Sequence, residues 1–209
     1  MIIAVDGPAA SGKGTIARAL AAHFGLPHMD TGLLYRATAL NLLSTGGDPE
    51  SEFAAARAAD HSQIDFDDPE LKSETVGGIA SRISVYPLVR AALLERQRRF
   101  AAQRGGAVLD GRDIGTVIAP DADAKLFVTA SAEARAERRF AELRRMGLGV
   151  HLADVLADIR ARDARDTGRD AAPLMAAEDA DLLDTSGMTI SAAVQRAIAL
   201  VEARIRHSA

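Results

Sequence analysis

The stretch Gly7-Pro8-Ala9-Ala10-Ser11-Gly12-Lys13-Gly14-Thr15 constrains this chain more than any other. It follows the apolar run Ile2-Ile3-Ala4-Val5, which reads as a short buried strand, and precedes Ile16-Ala17-Arg18-Ala19-Leu20-Ala21-Ala22, which reads as a helix. Strand, glycine-rich loop and helix together are the setting in which a loop cradles phosphate. Glycines let the backbone turn so that successive N–H groups face phosphate oxygens, and the helix N-terminus adds partial positive charge. Lys13 supplies a full mobile charge for the outer phosphates. The common ending of such loops is Gly-Lys followed directly by Ser or Thr. Here Gly14 intervenes and the hydroxyl comes on Thr15.

Composition narrows the class. With 209 residues, 48% hydrophobic and 26% charged, the chain suits one soluble α/β unit with a sizeable core. It has no Cys, which excludes disulfides and thiolate-bound metals and fits the cytoplasm. The N-terminus runs straight into the first strand without a basic leader or hydrophobic signal core, and no apolar run suggests a membrane span. A net charge of −4 argues against a general nucleic-acid surface. The five His residues are scattered and suggest neither triad nor metal site.

The rest alternates between strand and helix signals. His28-Met29-Asp30 reads as the end of a second strand and Thr31 as the cap of the next helix, with Leu34, Thr38 and Leu42 on one face. Helices are predicted over about 51–59, 70–83 and 87–103, and the acidic stretch Asp65-Phe66-Asp67-Asp68-Pro69 reads as a solvated turn. Ala107-Val108-Leu109-Asp110 is a third strand, and Arg112 and Asp113 follow at the end where open parallel sheets bind ligands. Lys125–Thr129 and 180–184 are further strands. A helix capped at Ser131 runs to about Met146, an amphipathic one starts near Leu152, and Ile190, Val194, Ile198, Val201 and Ile205 mark a closing helix. Arg162, Asp166 and Arg169 fall at i, i+4 and i+7; by spacing alone this is an intrahelical ion-pair ladder on a solvated face.

Taken together, the loop, Asp30-Thr31-Gly32 with Tyr35-Arg36, Asp110-Gly111-Arg112-Asp113-Ile114-Gly115-Thr116 and Arg162-Asp163-x-Arg165-Asp166-x-x-Arg169 resemble the bacterial cytidylate kinases, in order and over essentially the whole chain. The resemblance implies a P-loop NTPase α/β fold with a five-stranded parallel sheet flanked by helices. It implies a single domain over 1–209, with a short monophosphate-binding segment at about 31–103 and a lid at about 145–170. It implies transfer of the terminal phosphoryl group of ATP to CMP or dCMP, with Mg2+ arriving with ATP, possibly near Thr15, and no metal ligands of the protein's own. Gly7 through Thr15 would hold ATP. Thr31, Tyr35, Ser81, Arg90 and Asp113 would border the CMP pocket. Arg36, Arg112 and Arg169 would gather on its phosphate, and Arg162 and Asp166 would reach the sugar and adjoining groups; Lys13, Arg36, Arg112, Arg162 and Arg169 would carry the catalytic charge. It further implies a cytoplasmic monomer with small-molecule partners only.

Two departures and three competing readings accompany it; one of the three is a pure nucleotide-binding regulatory module, which would bind ATP without turning over any monophosphate. The span from Gly47 to Ser81 is too short for a full three-stranded insert, and Arg82 stands where a smaller polar amide is expected. Another small P-loop kinase, of adenylate or shikimate type, would share the loop but surround its acceptor with other groups. A GTP-driven switch would read guanine through Asn-Lys-x-Asp, yet Asn41, the one Asn in the chain, is followed by Leu42.

Overall fold

The computed structural model describes residues 1–60 and 65–208. Five strands form one parallel sheet: β1 (Ile2–Asp6), β2 (His28–Asp30), β3 (Ala107–Gly111), β4 (Ala124–Thr129) and β5 (Asp181–Asp184). Their spatial order is β2-β3-β1-β4-β5. The chain leaves β1 toward β2 on one side and later crosses from β3 over β1 to β4, so the order switches beside β1, where a crevice opens at the carboxyl ends. Alternation along β1 sends Ile3 and Val5 to one face and Ala4 to the other. Ile3 and Val5 pack with Ile16, Ala17 and Leu20 of α1 (Lys13–Phe24) and with Ala193, Ala197 and Val201 of α8 (Ile190–Ser208). Ala4 packs with Leu109, Ala101, Ile114 and Ile118.

Between β2 and β3 lie α2 (Thr31–Ser44), α3 (Glu52–Arg57), a short 3-10 turn (Pro69–Lys72), α4 (Glu74–Ile83) and α5 (Pro87–Ala101). Among the described residues this span contains no strand, in line with its short length. Leu34, Leu42, Val76, Ile79, Ile83, Val89 and Leu93 give it a core of its own. Ser51 and Ser73 cap α3 and α4 through their hydroxyls, each cap worth about 1 kcal/mol. Asp65 accepts from the Asp67 N–H and Asp68 caps the 3-10 turn, so the acidic stretch is a self-bonded turn. After β4, α6 (Ala132–Arg145) and α7 (Leu152–Gly168) pack through Ala136, Leu143, Val155 and Ile159. Among the described residues no helix is long and apolar enough to cross a membrane.

Three local readings are corrected. Asp30, rather than Thr31, caps α2: its carboxylate accepts the Gly32 N–H at 2.9 Å, while the Thr31 hydroxyl donates to the Asp110 carbonyl at 2.8 Å. In the closing helix Val201 is buried and Val194, Ile198 and Ile205 pack against the core as expected, but Ile190 is 72% exposed and Ala193 and Ala197 complete the buried face. The ladder of Arg162, Asp166 and Arg169 does not form as a helical face: α7 ends at Gly168, and Arg169 has extended backbone.

Candidate active site

The phosphate loop is shaped from outside. Gly7 takes φ 153° with β4 so near that a Cβ there would lie 2.0 Å from the Val128 carbonyl oxygen. Ala10 holds a left-handed φ of 59°, a conformation costing an L-residue roughly 1 kcal/mol. Arg135 Nη1 donates to the Ala9 carbonyl at 3.2 Å and the Thr185 hydroxyl donates to the Ser11 carbonyl at 3.0 Å. Because these peptides are trans, the N–H groups of Ala10 and Gly12 point the opposite way, away from Arg135 and Thr185. Lys13 is the first residue of α1, and Thr15 lies within its first turn.

The strand register gathers carboxylates at the same edge. Asp30 pairs with Asp110 across β2 and β3, and Asp110 pairs with Val5 across β3 and β1. Asp110 accepts from or is paired with His28 Nε2 at 2.7 Å. Burial, then the Asp110 charge, pushes Asp30 up from the ordinary carboxylate range. Asp6, buried, accepts the Ile114 and Gly115 N–H groups, each at 2.8 Å, and so ties the end of β1 to the wide turn after Arg112 and Asp113. Burial raises its pKa to about 7 even against those two donors. Lys13 is lowered to about 8, by burial first and then by the Arg112 charge.

Two cavities open at this edge. One is bordered by Thr31, Tyr35, Arg36, Ser81, Arg90, Arg112, Asp113, Arg162, Asp166 and Arg169, together with Asp30, Gly32, Gly77, Ala80, Ser84 and Gly111. All ten residues that the resemblance assigned to CMP therefore share one cavity. The other lies over the loop and is lined by Ala9, Ala10, Gly12, Lys13, Gly14 and Thr15, with Asp110, Arg139 and the inner face of α7. Gly7, Pro8 and Ser11 do not line it; Gly7 is buried against β4, and Ser11, with Ala10, Gly12 and Thr15, borders a further cavity toward Arg138, Thr185 and Met188. Asp30, Gly32, Arg36, Arg112 and Arg162 line both cavities and form the wall between them.

That wall is a desolvated cationic cluster. Arg36 is pushed down to about 10 by burial and by the Arg162 and Arg139 charges. Burial also lowers Arg162 and Arg169. Against the same desolvation the Asp166 carboxylate holds Arg112 above its ordinary value, accepting Arg112 Nε at 2.7 Å. Arg36 Nη1 donates to the Leu71 carbonyl at 2.8 Å and the Ser73 carbonyl at 3.2 Å. Arg162 stands 3.0 Å from Asp158, one turn before it on α7, so Asp166 is left for Arg112. Buried arginines that depress one another form a site whose charge is completed by anions. Deeper in the first cavity, Arg90 on α5 pairs with Asp113 and reaches the Tyr35 hydroxyl at 3.4 Å. Arg169 Nη2 lies 3.9 Å from the other Asp113 oxygen, and Arg165 Nε donates to the Ser81 hydroxyl at 3.2 Å. Arg82, beside Ser81, points to Glu50 at the surface.

Residue-by-residue reading of the sequence did not single out Asp6, Gly77, Arg135 or Arg139. Their partners are distant in the chain, and no local pattern marks a lone Asp at a strand end or a Gly inside a helix.

The family model for cytidylate kinase matches residues 3–203. A protein of Methylocella silvestris named cytidylate kinase is 60% identical over 203 residues, covering 97% of this chain and 94% of that one. One of Xanthobacter autotrophicus with the same name is 58% identical over 207 residues, covering 98% of each. Among solved structures, a gluconokinase from Sinorhizobium meliloti superimposes with a TM-score of 0.54 at 16% identity over 99% of this chain and 94% of that chain, a likeness of fold alone.

Proposed function

The chain belongs to the cytidylate kinase family, and from that premise we propose that the cavity over the loop seats ATP, the neighbouring cavity seats CMP or dCMP, and the terminal phosphoryl group passes between them. The observation that carries this reading is the shared wall: Arg36, Arg112 and Arg162 border both cavities, so three guanidinium groups face the point where a donor and an acceptor phosphate would meet. Phosphoryl transfer asks for positioning and charge neutralisation more than for covalent catalysis. The acceptor oxygen of a monophosphate is already anionic at neutral pH, so the chemistry needs no strong general base. Lys13 and the inward N–H groups of the loop hold the triphosphate, while Arg36, Arg112 and Arg162 take up negative charge as it shifts toward the acceptor. Asp113 and Arg90 face the base, and Asp166 reaches the sugar as it holds Arg112. Arg169 adds charge from beyond the end of α7.

Thr15, which carries a hydroxyl, and Asp110, which carries a carboxylate, both line the loop cavity. These are hard oxygen donors of the kind Mg2+ accepts when phosphates and water complete its shell, and among the described residues there is no dedicated cluster of three or more protein ligands. They fit a metal that arrives with the nucleotide, whose chemistry is to neutralise phosphate charge. Residues 31–103 serve as the segment that closes over the monophosphate, and 145–170 as the lid. The family reading also makes the chain a cytoplasmic monomer that works on free nucleotides.

A coupled assay of ADP release tests the reading. Turnover should be highest with CMP and dCMP and weak or absent with UMP, AMP and shikimate. Preference for AMP or shikimate would replace it with the corresponding small-molecule kinase.

A further inference from the structure

Of the run Arg162-Asp163-x-Arg165-Asp166, Asp163 lines neither substrate cavity. Its carboxylate turns the other way and accepts both arms of Arg135, Nη1 at 2.9 Å and Nη2 at 2.6 Å. Arg135, on α6, is only 4% exposed. Its Nε donates to the Ala130 carbonyl at 2.9 Å, just past β4, and Nη1 also donates to the Ala9 carbonyl in the phosphate loop at 3.2 Å. One guanidinium thus joins three segments: the end of β4, the loop over which ATP would lie, and the turn of α7 that carries Arg162 and Asp166.

The contact with Ala9 has a direct consequence for the loop. Fixing the Ala9 carbonyl fixes the plane of the Ala9–Ala10 peptide, and with it the direction of the Ala10 N–H. Ala10 is held in the left-handed region without being a glycine, so the surrounding contacts have to maintain it. The contact with Asp163 acts on α7. Asp163 directly follows Arg162, which is in the wall between the cavities. A buried ion pair contributes little net stability over an apolar replacement, but its bidentate geometry fixes orientation well.

We propose that Arg135 and Asp163 are positioning residues that hold the Ala9–Ala10 peptide and Arg162 in one frame, so that a triphosphate on the loop and the arginine meeting its terminal group keep a fixed separation. The inference rests on the ATP reading of the loop, which turnover of CMP by the unaltered enzyme tests separately.

The experiment is a double-mutant cycle with Arg135→Lys, which keeps the charge but loses the fork, and Asp163→Asn, which keeps the shape but loses the charge. Kinetics are read with ATP and with CMP as the varied substrate, alongside thermal midpoints. Each single variant should lose about tenfold or more in kcat/KM for ATP, the scale expected when a reacting group is misplaced. KM for CMP should move by less than about threefold. The double variant should be no worse than the weaker single one, since both break the same frame. Arg160→Ala is the control: it removes a second α6–α7 ion pair, to Glu133 at 2.8 Å, which is exposed and far less constrained. It should leave both parameters unchanged. Folded variants with unaltered ATP kinetics, losses that multiply in the double variant, or equal loss with Arg160→Ala would each overturn the proposal. Should Arg135→Lys fail to fold, Asp163→Asn, at a partly exposed helical position, decides alone; failure of both to fold would make the pair a stability element and also overturn it.

Discussion

Arg90 and Asp113 meet as an ion pair, one reaching from α5 and the other from the turn after β3, so two residues 23 positions apart border the first cavity together. Asp113 Oδ2 is engaged by Arg90, while Oδ1 lies 3.9 Å from Arg169. The pair explains why Asp113 has two possible roles, as a reader of cytosine and as a support for Arg90.

Asp113→Asn separates those roles. Cytosine presents an N4 amino donor, and uracil presents an O4 acceptor in its place. An ionised carboxylate only accepts, whereas an amide also donates. If Asp113 reads the base, the ratio of kcat/KM for CMP over UMP should fall at least about tenfold, mainly through loss of CMP, consistent with ~1–3 kcal/mol for a discriminating contact. Parallel decline with both substrates would make Asp113 a support for Arg90, with selection made elsewhere.

Gly77 makes room for Arg36. A Cβ at this position in α4 would fall 2.7 Å from Arg36 Nη2 and 2.9 Å from Nη1. The guanidinium is already tied to the Leu71 and Ser73 carbonyls and must tilt away from the cavity wall. Gly77→Ala should therefore leave the thermal midpoint nearly unchanged, since alanine favours a helix. It should also raise KM for CMP by about tenfold through the displaced phosphate ligand. An unchanged KM would show that Arg36 does not contact the acceptor.

The order of legibility follows the range of the interactions. The strand, loop and helix of residues 2–24 are local, and their spacing shows them directly. That the described residues of the segment before β3 hold no strand follows from its short length. Cavity walls assembled from Tyr35, Arg90, Asp113 and Arg169 became readable only through resemblance, because no spacing rule links them. The role of Asp6 was invisible for the same reason: its donors lie 108 and 109 residues away. Spacing alone sets Arg169 on a helical face three residues past Asp166, whereas α7 stops at Gly168.

Lys13 should give activity and stability opposite pH dependences. Its folded pKa of about 8 means that the free enzyme loses this charge as pH rises through 8. kcat/KM for ATP should decline there, whereas kcat should hold to higher pH because bound phosphates favour the ammonium. In the unfolded chain the lysine titrates near its ordinary value of 10.5. Between these values the unfolded state binds more protons, so stability should rise with pH. Parallel pH profiles of kcat/KM and of urea unfolding check this. Lys13→Ala should fold, remove its share of the stability slope and keep less than about a tenth of kcat. A folded variant with greater activity would remove Lys13 from the chemistry.

Asp6 should show the reverse linkage. Burial raises its folded pKa to about 7 from 3.8, so between those values the folded state holds a proton that the unfolded state has released. Stability is then fully present below pH 4 and declines as pH rises toward 7, by on the order of 4 kcal/mol for this group. Above that range the ionised carboxylate still accepts the Ile114 and Gly115 N–H groups, which keeps the turn after Asp113 in register with β1. Asp6→Asn removes the proton exchange and turns an amide donor toward one of those N–H groups. Urea unfolding at pH 5 and pH 8 should show a clear difference for the unaltered protein and little for the variant. The variant should also lose activity with CMP, because Arg112 and Asp113 are carried on the displaced turn. If the two proteins change stability in parallel between the two pH values, the carboxylate of Asp6 is ionised throughout and the proton it was assigned belongs to another group.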